Sequence, residues 1–158
     1  MYEAATLGTL LRRLVEHLDG AVEASYAGDG LDYRPRYTPI VRALLRDGPA
    51  TIRDLSQRIG VSHSAASQTV SQMTSKGLVT LEPGEDARER VVSLSSSARA
   101  IVPQLERRWA ATEAAARTLD GELGLPLAEV IARALNALER QPFGERIRLS
   151  EESLSEVK

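Results

Sequence analysis

The chain has 158 residues, 42% hydrophobic and 27% charged, which bounds it to one globular domain or one small domain plus a dimerisation element. With no Cys, disulfides, thiol switches and cysteine nucleophiles are excluded, two His argue against an all-His metal cage, and 4% aromatics argue against a stacking platform for single-stranded nucleic acid. The net charge of −2 looks wrong for a nucleic-acid binder, no apolar run is long enough to span a bilayer, and Met1-Tyr2-Glu3 does not open a signal peptide, so a cytoplasmic protein without membrane contact is expected.

Leu7, Leu10, Leu11, Leu14, Val15 and Leu18 recur at helical spacing and predict an amphipathic first helix, ended at Gly28-Asp29-Gly30. His17 within it is expected at a core edge rather than on a metal. A loop through Tyr33, Arg34, Pro35 and Arg36 leads to a second helix over 38–46, with Thr38 capping and Pro39 at the first helical position. Thr51 to Asp54 resembles a capping box, and Ile52, Leu55 and Ile59 form the buried stripe of a third helix that Gly60 ends. Ser62 caps a fourth helix reaching about Lys76. Its apolar positions are Ala66, Val70 and Met73, and the others are almost all small or polar: His63, Ser64, Ser67, Gln68, Ser71 and Gln72.

Residues 78–82 and 90–94 are β-like runs around a turn over 83–87, a hairpin with a charged tip. Ser95 or Ser96 opens a long helix with Ile101, Leu105, Trp109, Thr112, Ala116 and Leu119 on one face, and Pro103 is expected to bend or delay it. A last helix carries Leu127, Val130, Ile131, Ala134, Leu135 and Leu138 and ends at Pro142-Phe143-Gly144. Residues 145–158 have little apolar content and are expected to be mobile.

The order of helix, tight turn, polar-faced helix and charged hairpin is that of a winged helix-turn-helix, which offers one helix to the major groove of DNA and a hairpin to the adjacent minor groove. The fourth helix is the sharpest signal. A merely solvated helix favours Glu and Lys in i,i+4 pairs, yet residues 62–76 contain no acidic residue. Ser and Gln stabilise helices poorly but suit base edges and phosphates. Charge follows the same division. Residues 34–95 hold nine Lys/Arg against six Asp/Glu, while the remainder holds eleven against sixteen. Phosphate contacts need local positive charge rather than a basic whole protein. At the hairpin tip, Arg88 and Arg90 suit the negative potential of a narrow minor groove, with Asp86 placed to hold an Arg. The expected DNA face is therefore Ser62, His63, Ser64, Ser67, Gln68 and Gln72, with Arg88 and Arg90 on the wing and Asp86 in support. No Gly-rich phosphate loop, nucleophile elbow or metal-ligand spacing is present, so no enzyme activity, cofactor or metal is expected.

These residues resemble the MarR family of bacterial transcriptional regulators. The resemblance is carried by Leu55-Ser56-Gln57-Arg58-Ile59-Gly60-Val61-Ser62, by Lys76-Gly77-Leu78-Val79, and by Asp86-Ala87-Arg88 followed by Leu94-Ser95. It implies a homodimer on a pseudo-palindromic double-stranded operator, with the fourth helix in the major groove and Arg88 in the minor groove. It also implies a small anionic or phenolic effector that releases DNA. Tyr33, Arg34, Tyr37 and Trp109 are candidate lining residues by position. Ala87 stands where many members carry a second Arg, and the absence of Cys excludes the thiol-oxidation switch of one branch.

The expected architecture is mainly α with a small β-hairpin wing: a helical dimerisation lobe from residues 1–33 and 96–142, a winged helix-turn-helix DNA-binding lobe over 34–95, and a C-terminal tail over 143–158. The expected function is sequence-specific transcriptional regulation, as a repressor released by a small molecule. The alternative is a winged-helix protein–protein interaction module that uses the same fold without specific DNA binding, an alternative that the net charge of −2 keeps open.

Overall fold

In the computed structural model, residues 4–84 and 89–156 are described. Thr6 opens helix α1 (Leu7–Gly28) by accepting the Thr9 N–H on its hydroxyl at 3.3 Å. A 3-10 turn (Pro35–Tyr37) runs directly into α2 (Thr38–Asp47), followed by the short strand β1 (Ala50–Thr51), α3 (Ile52–Ile59) and α4 (His63–Ser75). Strands β2 (Val79–Pro83) and β3 (Arg90–Leu94) form the wing. Helices α5 (Ser96–Leu123), α6 (Leu127–Arg140) and α7 (Phe143–Glu156) complete the chain. The expected fold class, mainly helical with a winged helix-turn-helix, is the one observed.

Local chemistry accounts for most boundaries. Thr51 accepts the Asp54 N–H at 3.1 Å and caps α3, as its capping-box pattern predicts. Gly60 ends α3 at φ +69°, a left-handed conformation that costs a residue with a Cβ about 1–2 kcal/mol. Ser95 accepts the Ala98 N–H at 3.0 Å and caps α5, which continues through Pro103 even though that residue has no N–H to donate.

Three expectations change. Thr38 does not cap α2, because the 3-10 turn feeds the helix from Tyr37 in helical conformation and leaves no extended cap residue. Its hydroxyl instead lies 3.3 Å from the Tyr33 hydroxyl, which donates to it, and 3.5 Å from that of Tyr26. Ala50 and Thr51 pair with Val92 and Val91, so the hairpin belongs to a three-stranded antiparallel sheet of order β1-β3-β2. The segment read as an apolar-poor tail is largely helix α7. Ser150, Ser153 and Ser155 return their hydroxyls to carbonyls one turn back, and Arg148 pairs with Glu152 at 2.6 Å.

The chain divides into two compact units, Met1–Trp109 and Ala110–Lys158. The core of the first gathers Ile40, Val41 and Leu44 of α2, Leu55 of α3, Val70 and Met73 of α4, and Val79, Val92 and Leu94 of the sheet. Tyr26, Tyr33, Tyr37, Leu105 and Trp109 extend that cluster, with Tyr33 edge-on to both Tyr26 and Tyr37. Most of the apolar stripe of α1 stays outside it: Leu7, Leu10, Leu11, Val15 and Leu18 are exposed, as is His17, which was expected at a core edge.

In the second unit, the Asp120 carboxylate accepts the Leu127 N–H at 2.9 Å and caps α6. No residue of α6 is buried, and Val130, Ile131, Leu135 and Leu138 are exposed. Arg146 of α7 donates to the Ala137 and Gln141 carbonyls at the end of α6, each at 3.1 Å. Among the described residues, no helix is long and apolar enough to cross a membrane.

One ion pair ties distant parts of the first unit. The Arg108 guanidinium grips both oxygens of Asp29, just past α1, and Gln104 donates to the Asp29 carbonyl at 3.2 Å. The hydrogen bonds from Arg108 hold the Asp29 carboxyl below the usual carboxylate range. A lowered folded-state pKa contributes stability above the unfolded-state value and loses it as pH falls through the folded one. Asp29→Asn is therefore expected to unfold at lower denaturant than wild type at neutral pH. The gap should close as pH falls below the ordinary carboxylate range; a gap unchanged down to pH 2 would assign the contribution to packing.

Candidate nucleic-acid interface

Packing decides which face of α4 looks outward. Ala66, Val70 and Met73 recur at i, i+4 and i+7, and all three are at most 1% exposed. The opposite side carries Ser64, Gln68, Ser71 and Ser75, all exposed, and none of the thirteen residues from His63 to Ser75 carries a formal charge other than a protonated His63. A stripe of short polar side chains lets a helix backbone approach a groove closely and offers both donors and acceptors.

The expected contact residues take different positions on that helix. Ser62 accepts the Ala65 N–H at 3.1 Å, so its hydroxyl is the N-cap of α4. His63, Ser64 and Gln68 are exposed, while Ser67 is half-buried at the side. Gln72 is also half-buried, and its buried Oε1 has no hydrogen-bond partner among the described residues. Thr69 and Thr74 donate to the carbonyls of Ala65 and Val70, each at 2.9 Å, and Ser75 donates to Gln72 O at 2.8 Å. Those hydroxyls satisfy their own helix. Ser71 was not among the predicted contacts, yet it lies on the outer stripe. Its spacing of three from Gln68 and seven from Ser64 was the available signal.

The wing presents Arg90, exposed at the start of β3 and paired across the ladder with Pro83. Gly84 N–H donates to Glu89 O at 3.0 Å and closes the hairpin base. Asp86 and Arg88, the expected tip residues, lie outside the described residues. Around α4, Arg46 and Arg58 share the carboxylate of Asp47, at 2.8 and 3.3 Å, and hydrogen bonding from Arg46 lowers the Asp47 pKa. Arg36 and Arg53 are exposed, and the Arg36 guanidinium lies 5.9 Å from the centre of the Tyr37 ring.

The four residues expected to line an effector site also separate. Tyr33, Tyr37 and Trp109 are buried members of the core. Burial pushes the Tyr33 phenol up, so it stays neutral and donates to Thr38. The Trp109 Nε1 has no hydrogen-bond partner among the described residues, and the Arg42 guanidinium lies 4.7 Å from the centre of its ring. Arg34 is half-exposed, with its Nε 3.8 Å from a Glu23 carboxylate oxygen. Among the described residues no group of three His, Cys, Asp or Glu is placed to hold a metal ion.

Residues 30–89 match the family model described as the MarR family. Three solved structures share the fold. The Mycobacterium tuberculosis transcriptional regulator MOSR, in complex with DNA, is 21% identical at a TM-score of 0.71, over 87% of this chain and 99% of that one. A mutant MarR from Escherichia coli, complexed with operator DNA, is 20% identical at 0.59, over 89% and 97%. The Streptomyces coelicolor PcaV transcriptional regulator, in complex with its natural ligand, is 17% identical at 0.66, over 87% and 94%. No curated relative matches the chain.

Because the Ser62 hydroxyl serves the helix end, Ser62→Ala is expected to lower unfolding free energy by about 1 kcal/mol. Equilibrium denaturation reads this directly. Stability equal to wild type would show that another group caps α4.

Proposed function

We propose that the chain, whose residues 30–89 match the MarR family model, is a transcriptional regulator of that family rather than an enzyme: a homodimeric, sequence-specific reader of double-stranded DNA acting as a repressor. The observation that carries the proposal is the charge-free outer stripe of α4, held outward by Ala66, Val70 and Met73. Ser64, Gln68 and Ser71 read base edges in the major groove. Gln68, the longest of them, pairs through its amide with adenine N6 and N7. Affinity comes from cations outside α4, with Arg53 and Arg90 on phosphates and Arg88 in the minor groove.

Dimerisation is supported by the exposed apolar side chains of α1 and, separately, of α6, since exposed patches of this kind mark association surfaces. A two-fold dimer sets its two α4 helices on half-sites about 34 Å apart, one turn of DNA. Release by a small anionic or phenolic effector is supported by the ligand in the PcaV complex and by the cation and unpartnered indole N–H of Arg42 and Trp109 in this chain.

Selection of purified protein on a random duplex pool is expected to enrich a pseudo-palindrome with half-sites one turn apart. No enrichment by a folded dimer would overturn the proposal in favour of a protein-interaction module. On the enriched duplex, binding should weaken with salt at a log–log slope of about −0.9 per neutralised phosphate. Gln68→Ala is expected to lower operator affinity by about 1–3 kcal/mol while leaving non-specific affinity unchanged. Equal losses on both duplexes would make Gln68 a positioning group. Arg88→Ala should weaken both and leave folding intact, and unchanged affinity would remove the wing from the interface.

A further inference from the structure

The C-terminal end of α4 is held from two sides. On one side the carbonyl of Gly77 accepts the hydroxyls of Ser95 at 2.7 Å and Ser97 at 2.9 Å, and Ser95 N–H donates to Leu78 O at 3.0 Å. The two Ser Oγ atoms are 2.9 Å apart, and Ser95 Oγ already accepts the Ala98 N–H. Each hydroxyl carries one proton, so directing both at Gly77 commits the whole donor capacity of the pair to that carbonyl. On the other side the Lys76 ammonium pairs with the Asp32 carboxylate, in the segment between α1 and the 3-10 turn. Gly77 sits at φ +68°, and its turn is closed by Gly77 N–H to Thr74 O and Leu78 N–H to Met73 O, each at 2.9 Å. The carbonyl that the serines hold is therefore part of the hydrogen-bonded turn that ends α4.

We propose that these two ties set the pitch of α4 on DNA, with Ser97 and Asp32 as positioning residues that carry the placement of α5 and of the segment after α1 to the recognition stripe. The proposal rests on the reading of α4 as a DNA reader. The lever is long. Thirteen residues span about 20 Å, so a tilt of about 3° at Gly77 displaces the Ser62 end by about 1 Å. Base-edge hydrogen bonds hold only over about 2.7–3.2 Å, so such a tilt breaks them while phosphate attraction survives.

Asp32 gives the proposal a sign that electrostatics alone cannot imitate. Replacing it by Asn removes a negative charge and frees Lys76 for phosphate, both of which favour DNA. A positioning role predicts weaker operator binding instead. The experiment measures Asp32→Asn, Ser97→Ala and Ser97→Thr on the duplex selected by the wild type and on a scrambled duplex, with thermal unfolding of each protein. Asp32→Asn and Ser97→Ala are expected to lose about three- to ten-fold on the operator, the scale of one hydrogen bond. Scrambled-duplex affinity should be unchanged for Ser97→Ala and unchanged or higher for Asp32→Asn. Ser97→Thr, which keeps the hydroxyl, should restore operator affinity. Tighter binding of Asp32→Asn to both duplexes, wild-type operator affinity of Ser97→Ala, or equal losses on both duplexes with lowered melting would each overturn the ties. A wild type that selects no operator overturns the DNA reading and the ties with it.

Discussion

Three apolar side chains in a thirteen-residue helix hold the interface in place. Ala66, Val70 and Met73 seat α4 against the core, and Ala66 is small enough to bring the helix close. Burying the Val and Met side chains contributes about 1.5–3 kcal/mol each, far more than any contact α4 makes through its hydroxyls. The outward direction of Ser64, Gln68 and Ser71 is thus set by residues that never face solvent. A chemically plain stripe of Ser and Gln becomes a surface with a defined orientation.

Division of labour follows from that arrangement. α4 carries polar groups and no permanent charge, while the cations stand on α3, on the wing and on the segments that flank them. Several of those cations already have partners: Arg46 and Arg58 share Asp47, and Lys76 holds Asp32. Exposed pairs of this kind add little stability, about 0–1 kcal/mol, but they fix where positive charge sits. The small basic excess of residues 34–95 is therefore distributed around α4 rather than on it.

The aromatic residues serve the first unit as structure. Tyr26, Tyr33 and Tyr37 lock edge to face beneath α2, the hydroxyls of Tyr26 and Tyr33 converge on Thr38, and Trp109 closes the cluster under Arg42. Residues drawn from α1, the following loop, α2 and α5 thus share the core of the winged helix. With Arg108 gripping Asp29, the end of α1 and the first half of α5 belong to the same compact unit as the winged helix. The exposed Leu and Val stripe over the first half of α1 has no such role within the unit.

Much of the fold was legible because it is written in local interactions. Helical periodicity announced α1 to α6, Thr51 and Ser62 marked helix starts, and Gly60 marked the end of α3, since each depends on residues within one turn of chain. The polar identity of the α4 face was legible for the same reason. What tertiary structure alone decided depends on residues far apart in sequence. Two residues of β1 become a strand only because β3, about forty residues later, offers a free edge. Thr38 leaves its capping role because a 3-10 turn delivers the chain already helical and two tyrosine hydroxyls await it. Gln72 is half-buried and Ser71 exposed because burial of Ala66, Val70 and Met73 sets the rotation of α4, a quantity that spacing constrains but only packing fixes. Periodicity states which residues share a face; the neighbours that cover a face decide which one remains exposed.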